Sequence, residues 1–235
     1  MNNGVYHIPI LNLLYLAIPL FILGIIYIRW KLGLRSLLYA VARMVLQLTL
    51  IGYVLVFLFA TKSPLLVCGA LSFMLVMASV IALRPVRGRA HGIFKSIFVS
   101  LVTGCGLTLG LVVGGVLHLD PWYEPRYVVP IAGMIFANSM NSVSLTAERF
   151  FSERARNTPY EIARNASFEA GLLPTVNSLI AVGLVSFPGM MTGQILAGMD
   201  TQIAVRYQIM VMLMILNAAG ISCAVFLSLL RQSGK

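Results

Sequence analysis

The sequence predicts an all-α, polytopic integral membrane protein of about seven transmembrane helices, and three observations carry that prediction. Of the 235 residues, 59% are hydrophobic and only 10% are charged, which leaves too few polar groups to coat a water-soluble core. Seven apolar stretches are each long enough to cross a hydrocarbon interior of ~30 Å, which takes ~20 residues of helix. Only helix can span with such runs, because every backbone polar group in the bilayer must bond internally. The polar connections, finally, alternate between cation-rich and cation-poor.

The first span, 8–28, has no cation before Arg29. It therefore lacks the positive leader of a cleavable signal peptide and inserts with its N-terminus outward. The second, 37–60, carries Arg43 and Gln47 on one face, where Arg43 can snorkel to the surface. The third and fourth, 65–83 and 96–117, are followed by the fifth at 128–147, the sixth at 173–198 and the seventh at 207–230. Cys68, Cys105 and Cys223 lie within spans at no metal-ligand or disulfide spacing, and read as small packing residues. The whole of 1–235 reads as a single transmembrane domain, with a polar segment at 148–172.

Fourteen of the seventeen Lys and Arg fall on one side of this arrangement. They are Arg29, Lys31, Arg35 and Arg43; Arg84, Arg87, Arg89 and Lys95; Arg149, Arg154, Arg156 and Arg164; and Arg231 with Lys235. Lys62, Arg126 and Arg206 occupy the other side. The positive-inside rule makes the basic side cytoplasmic, so the N-terminus is outside and the C-terminus inside. One missed or invented crossing would swap the charge classes downstream, and they do not swap. The net charge of +10 is thus topological flanking, with attraction to anionic inner-leaflet lipids. A nucleic-acid-binding stripe would gather its cations on one folded face instead.

Enzymatic signatures are missing. There is no GxxxxGK[ST], HExxH or GxSxG, so the chain has neither its own nucleotide cradle nor a protease centre. His7, His91 and His118 are scattered. No span contains a carboxylate, although proton and cation relays usually use intramembrane acids. An ion-driven secondary transporter of a small solute is the alternative that this weighs against. A structural or receptor protein is a third class, opposed by the interrupted sixth span.

Two spans hold more than packing residues. In the fifth, Asn138, Asn141 and Ser142 are spaced i, i+3, i+4 and share one helical face. Unsatisfied amides in hydrocarbon cost several kcal/mol, so this face meets another helix or a wet cavity. Interhelical hydrogen bonding and the lining of a substrate path both account for it. The sixth span carries Pro174 near its cytoplasmic start and Pro188-Gly189 at its middle. A break at membrane depth is tolerated where protein or a water-filled cavity covers the freed carbonyls, and such breaks recur at transport sites. A plain proline kink in a packed bundle is the simpler reading. A path through these two spans takes in Asn138, Asn141, Ser142, Asn177, Pro188, Gly189, Met190 and Met191, with the asparagines facing Asn177 and the break. The methionines read first as gap-fillers, although thioethers can also hold a soft metal. Any metal ligands stay unknown.

Between these spans, Thr158-Pro159-Tyr160-Glu161 has the pattern of a capping box with proline at the first helical position. It predicts a short helix over 159–170, ahead of the next span. Its Thr158, Pro159, Glu161, Arg164 and Glu169 form either a solvated loop helix or a docking element for a soluble partner. In the outside loop, Trp122 and Tyr123 suit an aromatic interface anchor.

The blocks VVPIAGMIFANSMNSVSLTAERF, LLPTVNSLIAVGLVSFPGMMTGQILAGMD and RYQIMVMLMILNAAG resemble those of the FetB-type permeases. This is the bacterial iron-export ABC permease family, with plant relatives linked to aluminium tolerance. The resemblance covers nearly the whole chain and is sharpest over 128–220. It implies a permease subunit in a bacterial plasma (inner) membrane, not itself an enzyme and with no cofactor of its own. ATP and Mg2+ would belong to a separate ATP-binding subunit, and two permeases would pair as a homodimer. It implies a cytoplasmic coupling helix at the segment around Thr158 to Glu169. The chain departs from the family pattern there, with Ala155-Arg156-Asn157 in place of Leu-Gly-Ala.

Overall fold

The computed structural model describes residues 9–60, 63–88 and 92–232. His7, Lys62, Arg89, His91 and Lys235 lie outside the described residues. The described chain is helical, apart from one isolated bridge between Val182 and Ser186. It falls into two compact units, Met1–Ala60 and Thr61–Lys235.

The first unit holds a 3-10 stretch, Ile10–Leu16, that runs into α1 (Ala17–Arg29), followed by α2 (Leu34–Ala60). No side chain of α1 is buried, and Leu58 alone is buried on α2. Helices this apolar and this bare suit lipid as the surrounding solvent, where exposed leucine and phenylalanine carry no penalty.

The second unit comprises α3 (Pro64–Ala82), α4 (Ile93–Gly110), α5 (Pro125–Ala155), α6 (Tyr160–Ala181), α7 (Gly189–Leu196) and α8 (Thr201–Gln232). A π-helical turn, Leu111–Val116, closes α4. Helices α4, α5 and α8 form its centre. Ile93, Ile97, Leu101 and Cys105 make a fully buried ridge on α4 at four-residue spacing. Small residues let the backbones close in: a Cβ added at Gly104 would stand 2.8 Å from the Ala218 carbonyl oxygen and 2.7 Å from Ser222 N. Close approach of this kind replaces the hydrophobic driving force that lipid cannot supply between helices. Of the three cysteines, Cys105 and Cys223 pack inside as expected, whereas Cys68 is exposed.

Among the described residues six helices are long and apolar enough to cross a membrane: Leu11–Arg29, Leu34–Ala60, Pro64–Val86, Ile93–Val116, Pro125–Ala155 and Thr201–Arg231. The interval 173–198, expected as a further span broken at Pro188-Gly189, is divided differently. Helix α6 starts at Tyr160, runs through Pro174 and stops at Ala181. The chain then turns through residues 182–187 and restarts as α7. The break is centred on Gly183, whose φ of +82° is a left-handed conformation that glycine adopts freely. Pro188 does not break a helix; it caps one, at the N-terminal edge of α7 where its missing N–H is no loss. The segment 148–172 is shared between the end of α5 and the first half of α6, so the short helix expected over 159–170 has no boundary of its own.

Candidate functional site

The polar face of α5 meets α6 and α8 around a cavity of about 130 Å³. From α5 it is lined by Asn138, Asn141, Ser142 and Leu145, one stripe at i, i+3, i+4 and i+7. Helix α6 contributes Pro174, Thr175 and Ser178, and α8 contributes Met212 and Ile215. Ser142 and Thr175 are buried, Asn138 is half-buried and Asn141 is exposed. The Asn138 amide donates from Nδ2 to the Met134 carbonyl at 2.9 Å, which leaves its Oδ1 for the cavity. A space of this size and polarity has room for several waters.

The approach of α5 and α6 beside this cavity is set by Gly171. A Cβ there would stand 2.8 Å from the Ser142 carbonyl oxygen and would overlap the Thr146 hydroxyl. That hydroxyl in turn donates to Cys223 Sγ on α8 at 3.2 Å, so three helices meet at one level. Three residues further on, Pro174 has no N–H to offer the Ala170 carbonyl, which frees an acceptor within the helix.

The lining is chemically neutral. Five side chains carry oxygen, namely Asn138, Asn141, Ser142, Thr175 and Ser178, and none is a carboxylate. Such a set can hydrogen-bond a hydrated ion or a polar solute. It offers no anionic ligand of the kind hard divalent cations prefer. Among the described residues no group of three or more His, Cys, Asp or Glu gathers in a way that could hold a metal.

Not every expected path residue comes here. Asn177 does not line this cavity; Ser178 and Thr175 stand in its place. Helical phase explains this, because successive residues turn by ~100° and 177 falls about 110°, nearly a third of a turn, from the centre of the 174–175–178 face. Pro188 and Met191 line a separate, apolar cavity against α8, while Gly189 is exposed and Met190 half-buried. Thr175 and Ser178 were legible by the same three-residue spacing that marks the asparagines, but next to Pro174 they pass for filler.

The turn between α5 and α6 is tied more tightly than a capping box would tie it. Thr158 Oγ1 donates back to Glu153 Oε2 at 3.0 Å instead of capping α6, and the N-cap position is Pro159, with no side-chain cap. Glu153 also pairs with Arg149 at 2.8 Å, and Arg154 Nη1 donates to the Thr158 carbonyl at 3.0 Å. Asn157 takes the left-handed conformation (φ +60°) that the turn requires. Tyr160, marked by the sequence only within the capping-box pattern, is the anchor. Its hydroxyl donates to the Leu227 carbonyl on α8 at 2.8 Å, and its ring lies edge-on to Phe150 with Arg231 5.9 Å from its centroid. Glu161 and Glu169 are exposed, and Arg164 donates from Nε to Asn165 Oδ1 at 3.0 Å. Arg164, Phe168 and Glu169 edge a groove of about 340 Å³ against the end of α8. In the loop before α5, Trp122 is exposed and packs edge-to-face with Tyr123, ring centroids 5.6 Å apart.

Apolar helices bare on their outer faces, a small-residue core and a polar cavity among three helices define a multi-pass membrane protein. Residues 10–233 match the family described as "Uncharacterised protein family (UPF0014)", and the chain belongs to that family. It is 37% identical over 212 residues to "UPF0014 membrane protein slr1647" of Synechocystis, covering 82% of this chain and 81% of that one. It is 36% identical over 209 residues to "Probable iron export permease protein FetB" of Escherichia coli, covering 82% and 79%. A plant relative, "UPF0014 membrane protein STAR2" of Oryza sativa, is 34% identical over 209 residues, covering 82% and 72%. No solved structure matches the chain.

Proposed function

We propose that this chain is the membrane-spanning permease subunit of an ABC transporter, exporting iron or another metal with ATP hydrolysed by a separate subunit. Kinship with the relative named as an iron export permease carries the reading. The cavity between α5, α6 and α8 supports it, since two amides and three hydroxyls gathered at membrane depth suit a polar cargo better than lipid. The cargo would pass Asn138, Asn141 and Ser142 on one wall and Thr175 and Ser178 on the other. With neutral ligands only, a metal ion would cross retaining part of its hydration.

In this reading the chain makes seven crossings. α6, the turn and α7 together make the sixth, and the C-terminus is cytoplasmic. It sits in the inner membrane of a bacterium and pairs with a second copy. The α5–α6 corner would take the push of an ATP-driven partner, with Thr158 and Pro159 shaping the turn and Glu161, Arg164 and Glu169 presented on its surface. Because Tyr160 ties that corner to α8, a displacement there reaches two walls of the cavity together.

The test is reconstitution of the chain with a candidate ATP-binding subunit in vesicles loaded with ferrous iron. Metal efflux that needs hydrolysable ATP is the expected result. Replacing Glu161 and Arg164 together with alanine should cut transport-linked hydrolysis and leave membrane insertion unchanged. Efflux driven by an ion gradient, with no response to ATP, would overturn the proposal in favour of a secondary transporter.

A further inference from the structure

A second cavity, of about 420 Å³, opens where α6 stops and the chain turns. That volume lies within the ~300–1,000 Å³ typical of small-molecule sites. Leu179, Val182, Phe187 and Met191 line one side. Helix α8 supplies the other as a single stripe: Val205, Gln208, Ile209, Met212 and Leu213, at i, i+3, i+4, i+7 and i+8. Gln208 is the one polar side chain in the lining. It is only 6% exposed, and its Oε1 is buried without a hydrogen-bond partner.

A leucine at 208 would complete an apolar wall at no polar cost, whereas a buried, unpaired amide oxygen is destabilising. The position therefore calls for a hydrogen-bond donor from outside the chain. At the edge of the facing wall, α7 begins with amides that have no partner within the helix. Thr192 N is the first amide of α7 with a local partner, the Pro188 carbonyl. A hydroxyl both donates and accepts. No charged side chain lines the cavity to balance an ionic head.

Depth fits the same chemistry. The 32 residues of α8 extend about 48 Å, so a helix centred on ~30 Å of hydrocarbon protrudes by about 9 Å at each end. Gln208, seven residues from Thr201, then lies about 10 Å along the helix, at the hydrocarbon boundary where an amphiphile's polar end rests. Leu184 and Val185 on the adjoining turn are 86% and 84% exposed, which makes the approach to the cavity apolar.

We propose that this cavity binds a neutral, single-chain amphiphile, its hydroxyl donating to Gln208 Oε1 and its alkyl chain lying between the 179–191 wall and the α8 stripe. The cavity shares Met212 with the polar cavity but none of its oxygen-bearing side chains, and its occupancy requires neither ATP nor transport. The experiment uses the full chain in phosphatidylcholine nanodiscs, exposed to a diazirine-bearing twelve-carbon alcohol or to its methyl ether. Crosslinked residues are mapped by mass spectrometry. The alcohol should label residues 179–191 and 205–213 about fivefold more than the ether, the ratio that ~1 kcal/mol of hydrogen bonding gives. Gln208→Leu should abolish that preference while ether labelling persists. Gln208→Met, closer in shape, should do the same and serves if the leucine variant inserts poorly. Equal labelling by the two probes, a preference that survives both substitutions, or no labelling of the cavity, as a second copy covering it would give, overturns the proposal.

Discussion

Replacing Gly171 with alanine tests whether the cavity's walls are set by backbone contact between α5 and α6. The added Cβ would stand 2.8 Å from the Ser142 carbonyl oxygen, where ordinary contact begins at 3.4 Å, so the helices must part by about 0.6 Å. Backbone cannot swing aside as a side chain can, and overpacking of this kind costs ~1–3 kcal/mol. The Thr146 hydroxyl is pushed as well, and its bond to Cys223 is worth ~0.5–1.5 kcal/mol. Against these stands a gain of ~1 kcal/mol in helix propensity when glycine becomes alanine. The balance is a loss of about 2 kcal/mol, or roughly 4–8 °C in melting temperature for a chain of this length. Thermal unfolding of the detergent-purified protein measures it. Gly220→Ala is the control: its Cβ meets Leu172 Cδ1 at 3.9 Å, so propensity alone acts and the melting temperature should hold or rise. A Gly171→Ala protein that melts with the wild type would refute the close contact and the reasoning built on it.

Asn141→Leu should lower metal efflux at least tenfold, about 1.4 kcal/mol of lost transport, while the melting temperature stays put because leucine suits both lipid and packing; equal efflux per inserted protein would make the asparagine structural. Tyr160→Phe removes one hydrogen bond to the Leu227 carbonyl and keeps the ring on Phe150, for a loss of ~1 kcal/mol and roughly 2–4 °C. If unfolding is unchanged, the hydroxyl does not anchor the corner. Cysteines introduced at Ser63 or Trp122 should react with an impermeant reagent from outside, and those at Gly88 or Asn157 should not. Labelling at Gly88 from outside would reverse the orientation.

The helices and the face of α5 could be read from the sequence because their signals are local. Long apolar runs need no partner to be recognised, and Asn138, Asn141 and Ser142 declare a shared face by spacing alone. The break was legible as a fact but not as a position. Proline both ends helices and begins them, and at Pro188 the second role prevails, while Gly183 takes the turn. The capping-box pattern misled for a related reason. It describes four residues, and Thr158 found its partner in Glu153, behind it on another helix. Tyr160 had no local signal whatever, since its acceptor lies 67 residues away and only the packed helices bring the two together.

Helix α6 is held like a beam clamped along its first half. Tyr160 fixes its start to α8, and the Gly171 contact fixes its middle to α5. Beyond that second clamp, ten residues, about 15 Å, run on to Ala181 and end at a turn that passes no helical rigidity to α7. Pro174 sits just past the clamp, where a missing hydrogen bond makes the beam most compliant. Thr175 and Ser178 ride on the free arm, about 6 Å and 10 Å out. A tip deflection of 1.5 Å would therefore carry Ser178 by about 1 Å and Thr175 by about half that. Any bending of this arm would open the cavity on its α6 wall alone, in proportion to the deflection of the tip.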